Sequence, residues 1–208
     1  MISASFLSIK DNIKKKKKKL DSTSIDMLHV DIMDGVFVEN KTWSIDEVNT
    51  LLINTTKPKD VHLMVKDVKK YIDDFKLLNP NYITFHYEAV DNVLEVINYI
   101  KELGIKVGLS IKPHTSVDSI KKYLNDIDLI LVMSVEPGKG GQKFIENSIN
   151  KINYLDQLRE ENNYHYVIEV DGGINDITAK KCSNADILVI GSFITNGDYQ
   201  EQISKINL

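Results

Sequence analysis

Eight short apolar, β-branched runs punctuate the chain: Ile2–Leu7, Met27–Met33, Val61–Val65, Tyr82–Tyr87, Val107–Ile111, Leu129–Val135, Tyr166–Val170 and Ile187–Ile190. Longer polar or amphipathic stretches separate them. Val90–Leu103 sets Val93, Leu94, Ile97 and Ile100 at helical spacing, and Phe144–Leu158 lines up Ile145, Ile149, Ile152 and Leu155 along one stripe. Strands alternating with helices favour a parallel sheet. Eight such units within 208 residues, with no second composition regime, predict closure into a (β/α)8 TIM barrel. A doubly wound open sheet is the structural alternative. No Pro- or Gly-rich linker divides the chain, so residues 1–208 read as a single domain. Around Asp11–Leu20 the pattern is poorly amphipathic, and the first helix has the least defined limits.

Composition narrows the function classes. A hydrophobic fraction of 42% with 27% charged residues is that of an ordinary soluble globular protein. No window holds 18 or more uninterrupted apolar residues, so no membrane span is expected. The start, MISASFLSIKDN, lacks the charged lead and long apolar stretch of a secretory signal. A single cysteine, Cys182, cannot form an internal disulfide and fits a reducing cytoplasm. The formal charge of −4 argues against nucleic acid as a main partner. The run Lys14 to Lys19 could be a basic patch, but without interleaved aromatics it reads as a solvated helix face.

Barrel enzymes build their sites at the C-terminal ends of the strands, and strand side chains alternate between faces. If Leu28, Val30 and Ile32 point out to the helices, then His29, Asp31 and Met33 point inward. Likewise Val61, Leu63 and Val65 face out while His62 and Met64 face in. Asp171 follows Val170 at the end of the seventh run. Two histidines and two aspartates could therefore converge at one mouth. Buried carboxylates are costly unless paired, hydrogen-bonded or bound to a cation. One divalent metal ion resolves that cost, and imidazole with carboxylate suits zinc, iron, manganese or cobalt. Four hydrogen-bonded barrel residues without a metal are the plainer reading. Glycines punctuate the late loops at Gly138, Gly140-Gly141, Gly172-Gly173 and Gly191-Ser192. Backbone N–H groups there could cradle a phosphate, or the glycines could mark tight turns alone.

Ser5-Phe6-Leu7-Ser8, His29-Val30-Asp31-Ile32-Met33-Asp34-Gly35 and Asp60-Val61-His62-Leu63-Met64-Val65 carry a more specific message. So do Ile83-Thr84-Phe85-His86 with Glu88-Ala89, Met133-Ser134-Val135 with Pro137-Gly138, and Val170-Asp171-Gly172-Gly173-Ile174-Asn175. In this order, across nearly the whole chain, the segments resemble the signatures of the ribulose-phosphate 3-epimerase family. The resemblance implies that His29, Asp31, His62 and Asp171 ligate the metal and that Asp31 and Asp171 act as general base and acid. It implies that the substrate, a small phosphosugar, is held by Ser5, His62, Gly138, Gly140, Gly141, Asp171, Gly172, Gly173, Gly191 and Ser192; Lys139 in the same loop could add a charge to the phosphate or point into water. It makes Met33, Met64 and Met133 an apolar wall beside the reacting carbons, with His86 and Glu88 in supporting or structural places. The implied reaction interconverts D-ribulose 5-phosphate and D-xylulose 5-phosphate in the pentose phosphate pathway. The implied assembly is a homo-oligomer.

The sequence departs from the family pattern at Ala4, Lys10, Glu39, Lys112, Glu136 and Lys139, where Pro, Asp, Pro, Asn, Asn and Phe are usual. None removes an expected ligand. Three rival activities share the barrel: epimerisation of allulose 6-phosphate, a sugar-phosphate lyase, and a phosphosugar-binding barrel without turnover. Gly173 and Gly140-Gly141 favour the pentulose over the hexulose, and the two aspartates disfavour the inactive reading.

Overall fold

The computed structural model describes residues 1–9 and 11–206. All eight runs form strands: β1 (Ile2–Ser5), β2 (Met27–Met33), β3 (Lys59–Met64), β4 (Tyr82–His86), β5 (Lys106–Ile111), β6 (Leu129–Met133), β7 (Val167–Asp171) and β8 (Ile187–Ile190). They pair in chain order, all parallel, and β8 returns to β1 through Ile2↔Leu188. The sheet is thus a closed barrel, and the open-sheet alternative falls. Closure leaves no strand edge unpaired.

Around the barrel lie α1 (Ile13–Asp21), α2 (Ile45–Leu52), α3 (Val68–Phe75), α4 (Val93–Glu102), α5 (Ser148–Asn162), α6 (Ser192–Thr195) and α7 (Tyr199–Ser204). Two connections lack a full helix. Short 3-10 turns at Val117–Ser119 and Lys121–Tyr123 join β5 to β6, and one at Ala179–Cys182 joins β7 to β8. Val117, Ile120, Leu124 and Ile127, spaced three, four and three apart, are all buried, so these turns still lay an apolar stripe on the strands. The α5 helix begins four residues later than its periodicity suggests. Phe144 to Asn147 instead complete the preceding loop, where the Ile145 N–H donates to the Ser134 carbonyl at 2.8 Å. The helix ends at Asn163, whose φ of 53° is a left-handed cap.

The strand alternation separates two cores. Leu28, Val30, Ile32, Val61, Leu63 and Val65 pack outward among the helices. Met27, Tyr82, Leu129, Leu131, Met133 and Ile187 fill the interior. The α1 lysines mostly face water as expected, with one exception: Lys17 is buried, and its Nζ pairs with Asp21 at 2.6 Å. Among the described residues no helix is long and apolar enough to cross a membrane. The departure at Lys10 lies outside the described residues.

Candidate active site

Register brings the polar residues of separate strands level with one another. Across β2 and β3, Asp31 pairs with His62; across β1 and β2, Ser5 pairs with His29; across β6 and β7, Met133 pairs with Asp171. Ser5, Met133 and Asp171 are the last residues of their strands, and Asp31 and His62 lie in the C-terminal halves of theirs. Asp31 Oδ1 lies 3.4 Å from His29 Nε2 and 3.5 Å from His62 Nδ1, and Asp171 Oδ2 lies 4.0 Å from the same His62 nitrogen. One ligand atom from each of the four residues falls within 4.8 Å of the others. Among the described residues, His29 Nε2 and His62 Nδ1 are buried with no hydrogen-bond partner. Two orphaned imidazole nitrogens facing two carboxylates form a donor set that fits a divalent cation, because a metal would satisfy what the protein leaves unsatisfied.

Each of these groups is held from behind. Ser5 Oγ donates to Asp31 Oδ2 at 2.7 Å and accepts the Leu7 N–H at 3.2 Å. His29 Nδ1 meets Asp60 Oδ2 at 2.6 Å, and Ser3 Oγ donates to that oxygen at 3.0 Å. His62 Nε2 lies 2.9 Å from His86 Nε2. Ser134 ties β6 to the end of β7, its hydroxyl donating to the carbonyls of Asp171 and Gly172 at 2.9 and 2.7 Å.

Asp60 and Ser134 stand in segments that carry the family resemblance, but neither they nor Glu169 has a role assigned from sequence, although the signal for Asp60 and Glu169 is present. Asp60 precedes His62 by two and Glu169 precedes Asp171 by two, so alternation carried one step further back turns both inward. Both are fully buried. Burial first, and then the charge of Asp60, hold Glu169 well above the usual carboxylate range.

The two aspartates of the upper row are driven apart in acidity. Burial alone would raise Asp31, but the charge of His29, 3.4 Å away, outweighs it and holds Asp31 well below the usual range. Burial, and next the charge of Asp31, push Asp171 up to about 6. Burial works against a charged His29, yet the Asp60 and Asp31 carboxylates keep its pKa well above the ordinary value. The result is one ionised carboxylate and one of raised pKa facing the same gap.

A cavity of about 580 Å³, counted out to its open mouth, sits over this cluster. Ser5, Asp31, Asp171 and all three methionines, Met33, Met64 and Met133, line it. So do Gly138, Lys139, Gly140, Gly141, Gly172, Gly173, Gly191 and Ser192. His29 and His62 are fully buried and absent from its wall. The ring nitrogens of His62 are committed, Nε2 to His86 and Nδ1 to the gap between the aspartates.

Two loops meet beside the cavity mouth. After β2, Asp34 folds the chain back by accepting the N–H groups of Val36, Phe37 and Lys66 at 2.8, 2.9 and 2.7 Å. Asn40 then reaches the Gly138 carbonyl of the loop after β6 at 2.7 Å. The β6 loop also packs on the β7 loop: a Cβ on Gly173 would stand 2.6 Å from the Phe144 nitrogen, and its φ is +64°. Only glycine meets both demands there. Of the departures from the family pattern, Glu39, Lys112, Glu136 and Lys139 gather in one groove beside the mouth. The Lys112 ammonium lies 4.1 Å from the centre of the Phe37 ring. Ala4 is fully buried in the outer core.

A closed parallel barrel with two imidazoles and two carboxylates converging beneath a cavity at the strand C-termini defines a TIM-barrel enzyme with a site suited to a metal ion. The family described as the ribulose-phosphate 3 epimerase family matches residues 1–195. The chain belongs to that family and is an isomerase-class enzyme. It is 40% identical over 200 residues to the ribulose-phosphate 3-epimerase of Methanocaldococcus jannaschii, covering 95% of this chain and 83% of that protein. It is 37% identical over 210 residues to the ribulose-phosphate 3-epimerase of Bacillus subtilis, covering 99% and 95% respectively. The orotidine 5'-phosphate decarboxylase structure from Pyrococcus horikoshii is similar with a TM-score of 0.69, covering 99% of this chain and 97% of that one. At 15% identity this last likeness speaks for the fold alone.

Proposed function

We propose that the enzyme interconverts D-ribulose 5-phosphate and D-xylulose 5-phosphate by inverting C3, with Asp31 and Asp171 moving the proton. One observation carries the reading: His29 Nε2, His62 Nδ1 and an oxygen of each aspartate converge within 4.8 Å, and neither ring nitrogen has another partner among the described residues. His29, Asp31, His62 and Asp171 would hold one divalent ion, for which zinc, iron, manganese and cobalt are the candidates. When bound, that cation supplies Lewis-acid stabilisation to the negative charge that develops on the ketose oxygens.

The remaining work falls to the chain. The C3 proton lies next to the C2 carbonyl, so its loss leaves charge that can delocalise. Inversion needs removal on one face of the planar centre and delivery on the other, hence two acid–base groups. Asp31 on β2, held ionised by the charge of His29, is suited to take the proton. Asp171 on β7 faces the same gap, 4.0 Å from His62 Nδ1, and is suited to give one back. The roles exchange in the reverse direction. Met33, Met64 and Met133 are buried at the cavity wall and would keep water from the carbanionic centre. The loops at Gly138–Gly141, Gly172-Gly173 and Gly191-Ser192 line the cavity, and their backbone N–H groups would receive the phosphate, with Lys139 adding a charge.

The test is incubation with ribulose 5-phosphate in deuterium oxide, with each candidate metal in turn. Deuterium at C3 and formation of xylulose 5-phosphate are expected. Faster turnover of allulose 6-phosphate would reassign the substrate. C–C cleavage would favour a lyase, and tight metal binding without exchange would favour a binding barrel.

A further inference from the structure

Behind His62 runs a chain of side chains that the reaction does not use. His62 Nε2 meets His86 Nε2 at 2.9 Å, and His86 Nδ1 meets Glu88 Oε2 at 3.3 Å. The other Glu88 oxygen, Oε1, accepts the Lys112 N–H at 2.8 Å and the Thr115 hydroxyl. The loop that supplies these two donors is itself clamped: Lys151 Nζ donates to the carbonyls of Lys112, Pro113 and Thr115 at 3.0, 2.7 and 2.6 Å. Both imidazoles are fully buried.

With Glu88 ionised and both imidazoles neutral, this order of groups leaves one consistent arrangement of hydrogens. An ionised carboxylate only accepts, so His86 must donate from Nδ1. A neutral His86 then has a lone pair on Nε2, and His62 must donate to it from its own Nε2. The hydrogen of His62 is thereby drawn to the side away from the site, and its Nδ1 lone pair faces Asp31 and Asp171. His29 reaches the same end in one step with the opposite nitrogen, donating from Nδ1 to Asp60 and leaving Nε2 to the gap. The two histidines present different nitrogens, and each has a carboxylate at the far end of its tether.

We propose that Glu88, acting through His86, is a positioning residue that sets the tautomer of His62 and so makes its Nδ1 a metal ligand. This inference rests on the metal-site reading given above. Glu88 touches neither substrate nor metal in this scheme. Its contribution is to decide which nitrogen of a ring two groups away carries a hydrogen.

Glu88→Gln separates this role from a merely structural one. The amide oxygen can still accept from Lys112 and Thr115, so the clamped loop is kept. The amide nitrogen, however, now donates toward His86 Nδ1. That reverses the chain: His86 donates from Nε2, and the His62 hydrogen moves to Nδ1, into the metal position. Two measurements read the result. In metal-free wild-type protein labelled with 15N-histidine, His62 should carry its hydrogen on Nε2, and in the variant on Nδ1. Titration of the metal-free proteins with Co2+ should give a dissociation constant about 10–100-fold higher in the variant, with unchanged thermal melting of the metal-free chains. Equal Co2+ affinity, or a His62 hydrogen on Nδ1 in the wild type, would overturn the proposal. The wild-type spectrum decides even where the variant fails to fold. Wild-type protein that binds no Co2+ would sink the metal reading instead, and the tautomer of His62 would still judge the relay.

Discussion

Replacing Ser5 with alanine takes a single oxygen from the site. That oxygen donates to Asp31 Oδ2 at 2.7 Å and is buried with it. It is tethered in turn by the Leu7 N–H at 3.2 Å, so its lone pair is engaged and its hydrogen aims at Asp31. The other oxygen of Asp31, Oδ1, faces His29 and His62 at 3.4 and 3.5 Å. Ser5 therefore fixes the rotation of the carboxylate that is proposed to take the proton, and it leaves one oxygen for the cation and the other beside the substrate. A hydrogen bond to a charged group contributes about 1.5–3 kcal/mol. Loss of that orientation at the transition state corresponds to a fall in kcat of about 10–150-fold, at 1.36 kcal/mol per factor of ten. Because the hydroxyl is committed to Asp31 and not to the sugar, KM should change by less than about threefold. Initial rates of xylulose 5-phosphate formation across a range of ribulose 5-phosphate concentrations, with metal in excess, give both constants. A kcat within twofold of wild type would refute the reasoning. A rise in KM alone would return Ser5 to the substrate-holding role that the family resemblance implies.

Asp171→Asn should abolish solvent deuterium incorporation at C3, with a loss in kcat of at least about 10³-fold, while circular dichroism stays that of wild type; retention of most activity would remove Asp171 from proton transfer. Metal affinity should rise with pH. In the metal-free protein Asp171 is raised to about 6, chiefly by burial, and His29 is held well above its ordinary value by Asp60 and Asp31 in spite of its burial. Both must give up a proton to become ligands, so Co2+ affinity increases as pH rises through about 6 and continues upward until His29 is neutral. A flat profile between pH 5 and 7 would contradict this. Gly173→Ala forces a Cβ to within 2.6 Å of the Phe144 nitrogen at a φ of +64°. A cost of about 2–4 kcal/mol in unfolding free energy is expected from the backbone strain and the contact together; urea denaturation measures it, and a change under about 0.5 kcal/mol would refute the close packing of the two loops.

The sequence by itself determined the number of strands, their order of appearance and which face of each looks inward. Those properties follow from residues two positions apart on one strand, so they are written locally. His29, Asp31, His62 and Asp171 could be singled out for that reason, and Asp60 and Glu169 were legible by the same rule. The limits of β2 and β8 coincide with their apolar runs, because the pattern stops where the barrel stops. The start of α5 does not, since Phe144 and Ile145 are apolar for the sake of a loop rather than a helix.

Tertiary structure alone decided what each inward residue meets. Whether His62 lies level with Asp31 or His86 reaches His62 depends on the stagger between neighbouring strands, which closure of the whole barrel sets. The grip of Ser134 on the β7 carbonyls and the clamp of Lys151 on three loop carbonyls join residues distant in the chain. Their partners are fixed by packing in three dimensions, and no spacing along the chain encodes them.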